Sequence, residues 1–353
     1  MRVAMTELTP ARHWATSETL AVRAAVQSAL IECQPGDTII VACSGGPDSL
    51  ALAAATSFVG KQLDLLVIAV IVDHQLQQGS GVIAQKAADA CVAFGIEQAV
   101  VAQVTVEGDG GPEAAARQAR YDVLEAMAVK FHANSIVLGH TLEDQAETVL
   151  LRLARGSGTR TIAAMQSRNG LLVRPLLQTP REVVHASAKD VCDVIGVEPW
   201  QDPHNQDPRF SRVRVRQAMD LLNEALGSGF TNGLARSAEL ASDDADALDA
   251  WAALAFDASV TFEESSMSAD AEELLQLPRA IRTRVIRRMC IDLGMASDAI
   301  SMSHVHAVDA LISQWHGQGP VSLPSRVNAR REYGRLTLTA PASTPNAGEP
   351  LAT

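Results

Sequence analysis

The sequence predicts an α/β protein: a doubly wound parallel sheet, then a smaller helical domain and a short C-terminal β segment. Two observations predict the sheet. Continuous apolar runs alternate with helical patterns through the first half of the chain, as in parallel strands covered on both faces. A glycine-rich turn follows the first of these runs, at a strand end where open α/β sheets bind ligands. The β segment is predicted by a change to period-two alternation between turn residues after residue 317.

Residues 17–31 read as an amphipathic helix capped by Ser17. DTIIVAC (37–43) is a buried strand and GGPDSLALAAATSF turns from it into a helix. LDLLVIAVIV (63–72) is the second strand, followed by a helix over 80–94 and a strand over 98–104. Pro112 suits a first helical position and opens a helix over 112–130. SIVLG (135–139) is the fourth strand, with a helix over 142–154. Residues 156–175 are loop-rich, with a short strand at 171–173 before a helix over 180–195. From 211 to about 313 the pattern is helical apart from a loop near 257–268. This gives an N-terminal helical extension (1–35), a sheet domain (36–217), a helical domain (218–316), a β segment (317–340) and a Pro/Ala/Ser-rich disordered tail (341–353).

With 353 residues, 47% of them apolar, the chain can bury a real core, which excludes disordered and fibrous classes. No stretch approaches the roughly 20 apolar residues of a membrane helix, and the first fifteen residues lack the apolar core of a secretion signal. Cys33, Cys43, Cys91, Cys192 and Cys290 lie far apart with no CxxC pair. They read as reduced core thiols of a cytoplasmic protein. The net charge of −12 argues against a polyanionic partner, but the charge is segregated. Residues 152–216 hold eleven bases and six acids, and residues 279–288 hold five arginines. Because screening limits a charge's reach to about 8–10 Å, such local faces can still bind a polyanion.

Ser44-Gly45-Gly46-Pro47-Asp48-Ser49 ends the first strand. Two glycines allow a sharp turn and close approach of a ligand. The helix beginning near Asp48 aims free N–H groups and its positive end at the turn, an anion site, and Ser44 and Ser49 add hydroxyl donors. A carboxylate repels phosphate, so Asp48 makes sense there as a magnesium ligand. An ordinary βα turn with an acidic N-cap would share some of these residues. The full six-residue run at the first strand of such a sheet is far more specific.

This run resembles the pyrophosphate loop of the PP-loop ATPases, which cleave ATP to AMP and pyrophosphate; no Walker A pattern occurs. Further stretches narrow the resemblance: Val72-Asp73-His74, Glu113 to Tyr121, Gly139-His140 to Thr148, Arg155 to Gly158, Arg174-Pro175-Leu176-Leu177, and Asp202 to Asp207 with Arg212 and Arg216. In this order, over roughly residues 36–222, they look like the tRNA(Ile)-lysidine synthase family. Departures are Gln75-Leu76-Gln77 for Gly-Leu-Arg, Glu143-Asp144 for Asp-Asp, His204 for Ser and Val213 for Asn. The resemblance implies ATP and Mg2+ as cofactors, and tRNA(Ile) with a CAU anticodon and free L-lysine as partners. It also implies a tRNA-binding role for the helical domain, allows a homodimer, and puts Asp73 on the adenine side. The implied reaction adenylates the 2-oxygen of the first anticodon cytidine, and the lysine ε-amine then displaces AMP. A tRNA thiolase of the same superfamily would need cysteine pairs that are missing. A non-catalytic nucleotide-binding module would have no need of Asp48, Asp144 and Glu147.

Asp144 and Glu147 share one helix face, flanked by Glu143. Acids in a first turn also simply complement the helix dipole. Here they could bind an ammonium, ligate magnesium or take a proton, and the resemblance implies that they hold lysine. His140 is a candidate general base, with an ordinary pKa near 6.5, or a structural hydrogen bonder. Arg117 is a candidate cation beside phosphate or RNA, though it also pairs at i, i+4 with Glu113; Arg120 is a weaker one. Arg209, Arg212 and Arg216 form one stripe, and the resemblance favours Arg212 and Arg216 as functional. Arg279, Arg282 and Arg288 are expected to point outward from an amphipathic helix as an RNA face.

Overall fold

The computed structural model describes residues 16–75, 79–105, 112–156, 158–203, 207, 209 and 211–341. The first fifteen residues, the tail beyond 341, Ser157 and Asn205 fall outside them, as does the side chain of Glu113. The chain forms two compact units, residues 1–242 and 243–353.

The first unit runs α1 (Ser17–Leu30), β1 (Thr38–Ala42), α2 (Pro47–Leu63), β2 (Leu66–Asp73), α3 (Ser80–Ala93), β3 (Gln98–Gln103), α4 (Pro112–Lys130), β4 (Ser135–Val137) and α5 (Leu142–Ala154). A short α6 (Thr159–Ile162), β5 (Arg168–Asn169), β6 (Leu172–Val173), α7 (Arg181–Ile195) and α8 (Ser211–Leu226) complete its regular structure before α9 (Phe230–Ser259), within which the units divide. The sheet order is β3-β2-β1-β4-β6-β5, parallel except for the β5–β6 pair. The chain leaves β1 toward β2 on one side and returns to β4 on the other. The loops after β1 and β4 therefore face one another across the switch point, where such sheets bind ligands.

Both faces of β1 are buried, which is why it reads as an unbroken apolar run. Ile39 and Val41 pack with Val22, Val26, Leu52 and Val184 from the helices on one face. Ile40 packs on the other with Leu124, Ala128 and Ile136. The helix expected as an N-terminal extension packs on α2 and α7 within this core, with the Arg23 guanidinium 3.8 Å over the Phe58 ring. Its cap is Thr16, whose hydroxyl accepts from the Thr19 N–H at 3.2 Å, and not Ser17.

The second unit continues from the end of α9 with β7 (Val260–Glu263), β8 (Ser266–Asp270), α10 (Ala271–Gln276), α11 (Arg279–Asp292), α12 (Met302–Ser313), β9 (Val321–Ser322), β10 (Asn328–Glu332) and β11 (Arg335–Thr339). An antiparallel sheet of order β7-β8-β11-β10-β9 packs with these helices around Phe256, Ile281, Val285, Leu311, Leu336 and Leu338. The loop expected over 257–268 is thus a hairpin, and β8 joins the C-terminal strands through Leu336 opposite Ala269 and Leu338 opposite Met267. Only Met267 and Ala269 of β8 point inward, too few for the alternation to stand out. The later helices of the expected helical domain, from Ala252 on, share this core with the expected β segment.

The expected outward arginine face on α11 is corrected at Arg282. Its side chain is buried; Nε donates to Asp309 Oδ1 and Nη1 to the Leu277 carbonyl at 3.0 Å. The buried arc of α11 takes in Ile281, Arg282, Val285, Ile286, Met289 and Cys290, wide enough to include one charge. Its partner lies 27 residues away on α12 and leaves no trace in the local pattern. Arg288 lies 3.9 Å over the Phe256 ring and pairs with Asp257 and Asp292 at 3.5 and 3.4 Å. Arg282→Ala leaves Asp309 buried and unpaired, so it is expected to destabilise the second unit by about 3–5 kcal/mol. Urea unfolding tests this; a variant as stable as wild type would show that the pair contributes nothing.

Candidate active site

The turn after β1 is built around Gly45, at φ +82. A Cβ there would lie 3.2 Å from the Ala87 Cβ, so a side chain would be strained by the positive φ and crowded against α3. Gly46 is the N-cap of α2, which opens at Pro47 without a side-chain cap. The first-turn N–H groups are therefore left for an anion. Ser49 Oγ accepts from the Ser44 N–H at 3.1 Å and donates to the Gly46 carbonyl at 2.9 Å, so this hydroxyl braces the loop. The Trp200 N–H donates to the Gly45 carbonyl at 2.9 Å, tying the segment after α7 to the same loop.

Asp48 projects from the first turn of α2 with its side chain 29% exposed. Its Oδ1 is shielded and accepts no hydrogen bond; His185 Nε2 of α7 lies 3.1 Å away without hydrogen-bond alignment. The end of β4 presses on this turn: a Cβ on Gly139 would lie 3.2 Å from the Asp48 carbonyl oxygen. Gly139→Ala therefore displaces the loop by a few tenths of an ångström. It is expected to slow ATP cleavage about tenfold, since misplacement by a full 1 Å costs about 100-fold. Pyrophosphate release measures this, and an unchanged rate would mean that the loop tolerates the shift.

The helix after β4 carries the acids. Thr141 is the N-cap of α5, and its N–H donates to Asp144 Oδ2 at 2.8 Å. Asp144 Oδ1 accepts from Arg181 Nη2 at 2.7 Å. Glu147, 3% exposed, accepts from Arg216 Nε at 2.9 Å and faces Arg181 Nη1 at 3.4 Å. Glu143 Oε2 accepts from the Arg181 backbone N–H at 2.8 Å. Three carboxylates thus converge on Arg181, with Arg216 as a second cation, leaving one net negative charge on the group. Burial alone would raise the Asp144 carboxyl pKa; Arg181, His140 and the Thr141 N–H outweigh it and hold it below the usual carboxylate range.

His140 adjoins this group and is pushed down to about 3 by burial, against the pull of Asp144 and with the help of Arg174, Arg117 and Arg212. Its Nδ1 is buried without a partner. Of the two expected roles, general base or structural hydrogen bonder, this depressed pKa favours the second, with the imidazole neutral at neutral pH. Its folded pKa lies below the ordinary 6.5, so the stability it contributes is present above about 6.5 and is lost as pH falls toward 3. His140→Gln is expected to flatten that acid loss. A pH series of melting curves equally steep in both proteins would contradict this.

Of the other expected residues, Asp73 ends β2 beside β1, 5% exposed, its Oδ1 accepting from the Gln75 N–H at 3.0 Å. Arg117 of α4 donates to the Tyr121 hydroxyl at 3.1 Å. Arg212 is half-buried on α8, close enough for its charge to act on His140. The Arg209 stripe breaks up, since Arg209 is an exposed partner of Asp207 at 2.6 Å. Arg181 and His185, one turn apart on α7, were not among the expected residues. One signal pointed to Arg181: an arginine in the first turn of a helix opposes the dipole and asks for a local anion.

A family described as the PP-loop domain matches residues 19–223, and one described as the TilS substrate-binding domain matches residues 270–337. The tRNA(Ile)-lysidine synthase of Thermobifida fusca is 48% identical over 90% of this chain and 97% of its own. That of Streptomyces coelicolor is 43% identical over 85% and 84%. Among solved structures, the U34-tRNA thiolase NcsA from Methanococcus maripaludis with its [4Fe-4S] cluster has a TM-score of 0.53 at 17% identity. It covers 64% of this chain and 79% of its own, a likeness of fold. The glycine turn at the switch point and the family match define an ATP-binding PP-loop ligase. Within that class, the chain belongs to the tRNA(Ile)-lysidine synthase family.

Proposed function

We propose that this enzyme, working in the cytoplasm, joins free lysine to the first anticodon cytidine of tRNA(Ile) bearing CAU, using ATP. The cytidine 2-oxygen attacks the α-phosphorus, forming an O–P bond and releasing pyrophosphate. The lysine ε-amine then attacks C2, a C–N bond replaces the C–O bond, and AMP leaves. The observation that carries the reading is the Gly45–Gly46 cradle at the N-terminus of α2, with Asp48 inside it and the β4–α5 acids beside it.

Magnesium fits the residues present. Asp48 Oδ1 is shielded without a hydrogen-bond partner, and among the described residues no cluster of three or more metal-ligating side chains occurs. One carboxylate plus substrate phosphates is an ordinary Mg2+ site. When bound, the ion would neutralise charge on the leaving pyrophosphate. Ser44 to Ser49 cradle the phosphates and Asp73 lies toward the adenosine side. Arg212 offsets the developing phosphate charge. The single net negative charge of Glu143, Asp144 and Glu147 against Arg181 and Arg216 leaves room for one lysine ammonium. His140, neutral, offers Nδ1 as a hydrogen-bond acceptor. Arg216 holds Glu147 in place.

The order of steps gives the test. Pyrophosphate release should require ATP and unmodified tRNA and should begin without lysine. Release with ATP and lysine alone would mean that the amino acid, not the RNA, is activated.

A further inference from the structure

The first unit holds a basic cavity that the glycine turn does not line. It measures about 330 Å³ and is bounded by Arg117, Arg152, Arg160, Gln166, Asn169 and Arg174, with none of Ser44 to Ser49. Arg174, directly after β6, is 6% exposed; Nη1 donates to the Gln166 carbonyl at 2.9 Å and Nε is buried without a partner. Arg152, in the last turn of α5, donates to the Thr161 and Ala164 carbonyls at 2.6 and 2.8 Å. Among the described residues neither guanidinium pairs with a carboxylate. Buried charges are normally paired, and the carbonyl dipole leaves the buried Arg174 cation uncompensated, with half-buried Arg152 as a second cation beside it. Arg117 and Arg160 line the same space.

We propose that this cavity binds a backbone phosphate of the RNA next to the reacting nucleotide, an assignment that rests on the tRNA substrate proposed above. A phosphodiester oxygen pair matches the guanidinium fork and would satisfy the Arg174 donor. The nucleotide's own phosphates have the α2 cradle. The rim residues Arg160, Thr161 and Asn169 are exposed, so a polymer can enter and leave.

Arg160 is exposed on short α6, so Arg160→Ala and Arg160→Glu should both fold, and Arg152→Ala serves as a second site. Each is titrated with an anticodon stem-loop of tRNA(Ile) carrying CAU at several salt concentrations, alongside ATP affinity and the KM for lysine. Arg160→Ala should flatten the slope of log K against log salt by about one unit. Arg160→Glu should weaken RNA binding further, with ATP affinity and lysine KM unchanged. Wild-type slopes in all three variants would overturn the assignment while leaving the tRNA reading intact. Weakened ATP binding would give the cavity to the nucleotide, and a raised lysine KM would give it to the lysine carboxylate; either overturns it. A wild-type enzyme that binds no stem-loop overturns the tRNA reading and this assignment together.

Discussion

Replacing Asp48 by Asn is expected to abolish ATP cleavage, by about a thousandfold, while leaving the protein folded. The carboxylate accepts no hydrogen bond at Oδ1 and is partly open to solvent, so the isosteric amide leaves no buried donor or acceptor newly stranded. The stability change should stay near the 0.3–1 kcal/mol that an acid gains at a helix N-terminus. The chemical loss is large because the amide cannot supply the negative charge that holds a divalent ion against the phosphates, and preorganised charge of this kind contributes about 2.7–4 kcal/mol to a transition state. Unfolding curves and pyrophosphate release separate the two effects. A folded variant with wild-type release would remove the metal role from Asp48.

The second large effect is expected at Glu147. Glu147→Gln removes one negative charge from a group of three carboxylates and two arginines, taking its net charge from −1 to zero. A lysine ammonium entering that group would find no balancing charge. At about 3–5 kcal/mol for an unpaired buried charge, lysine use should fall by about 10²–10⁴-fold. The Arg216 side chain is 40% exposed, so solvent screens part of the broken pair and the stability loss should be smaller, about 1–2 kcal/mol. ATP affinity should not change, since Glu147 belongs to α5 and the phosphates to the α2 cradle. An unchanged KM and rate for lysine would show that the carboxylate serves only to anchor Arg181 and Arg216.

The sheet was legible because β1, β2 and β4 are buried on both faces and so read as unbroken apolar runs, and because the turn after β1 takes a positive φ at Gly45 that other residues rarely adopt. The acids of α5 were legible through helical spacing. The partners that set their chemistry were not. Arg181 reaches Asp144 across 37 residues and Arg216 reaches Glu147 across 69, distances over which a local pattern carries no information. His140 shows the same limit: the residue type suggests titration near neutral pH, and burial, which no local pattern reveals, removes it. On α11 the helical stripe placed Arg282 outside, although the helix buries a wider arc and turns that charge to Asp309. The β7–β8 hairpin was hidden because β8 has only two inward positions, Met267 and Ala269, and β7 has no buried one to set an alternation.

Mass analysis of the nucleosides from unmodified tRNA(Ile) tests the central claim most directly. After incubation with ATP, Mg2+ and lysine, the first anticodon cytidine should gain the mass of lysine less one water, only when all three are present and not with Asp48→Asn. An unmodified cytidine under the complete conditions, with RNA and ATP both bound, would contradict the account.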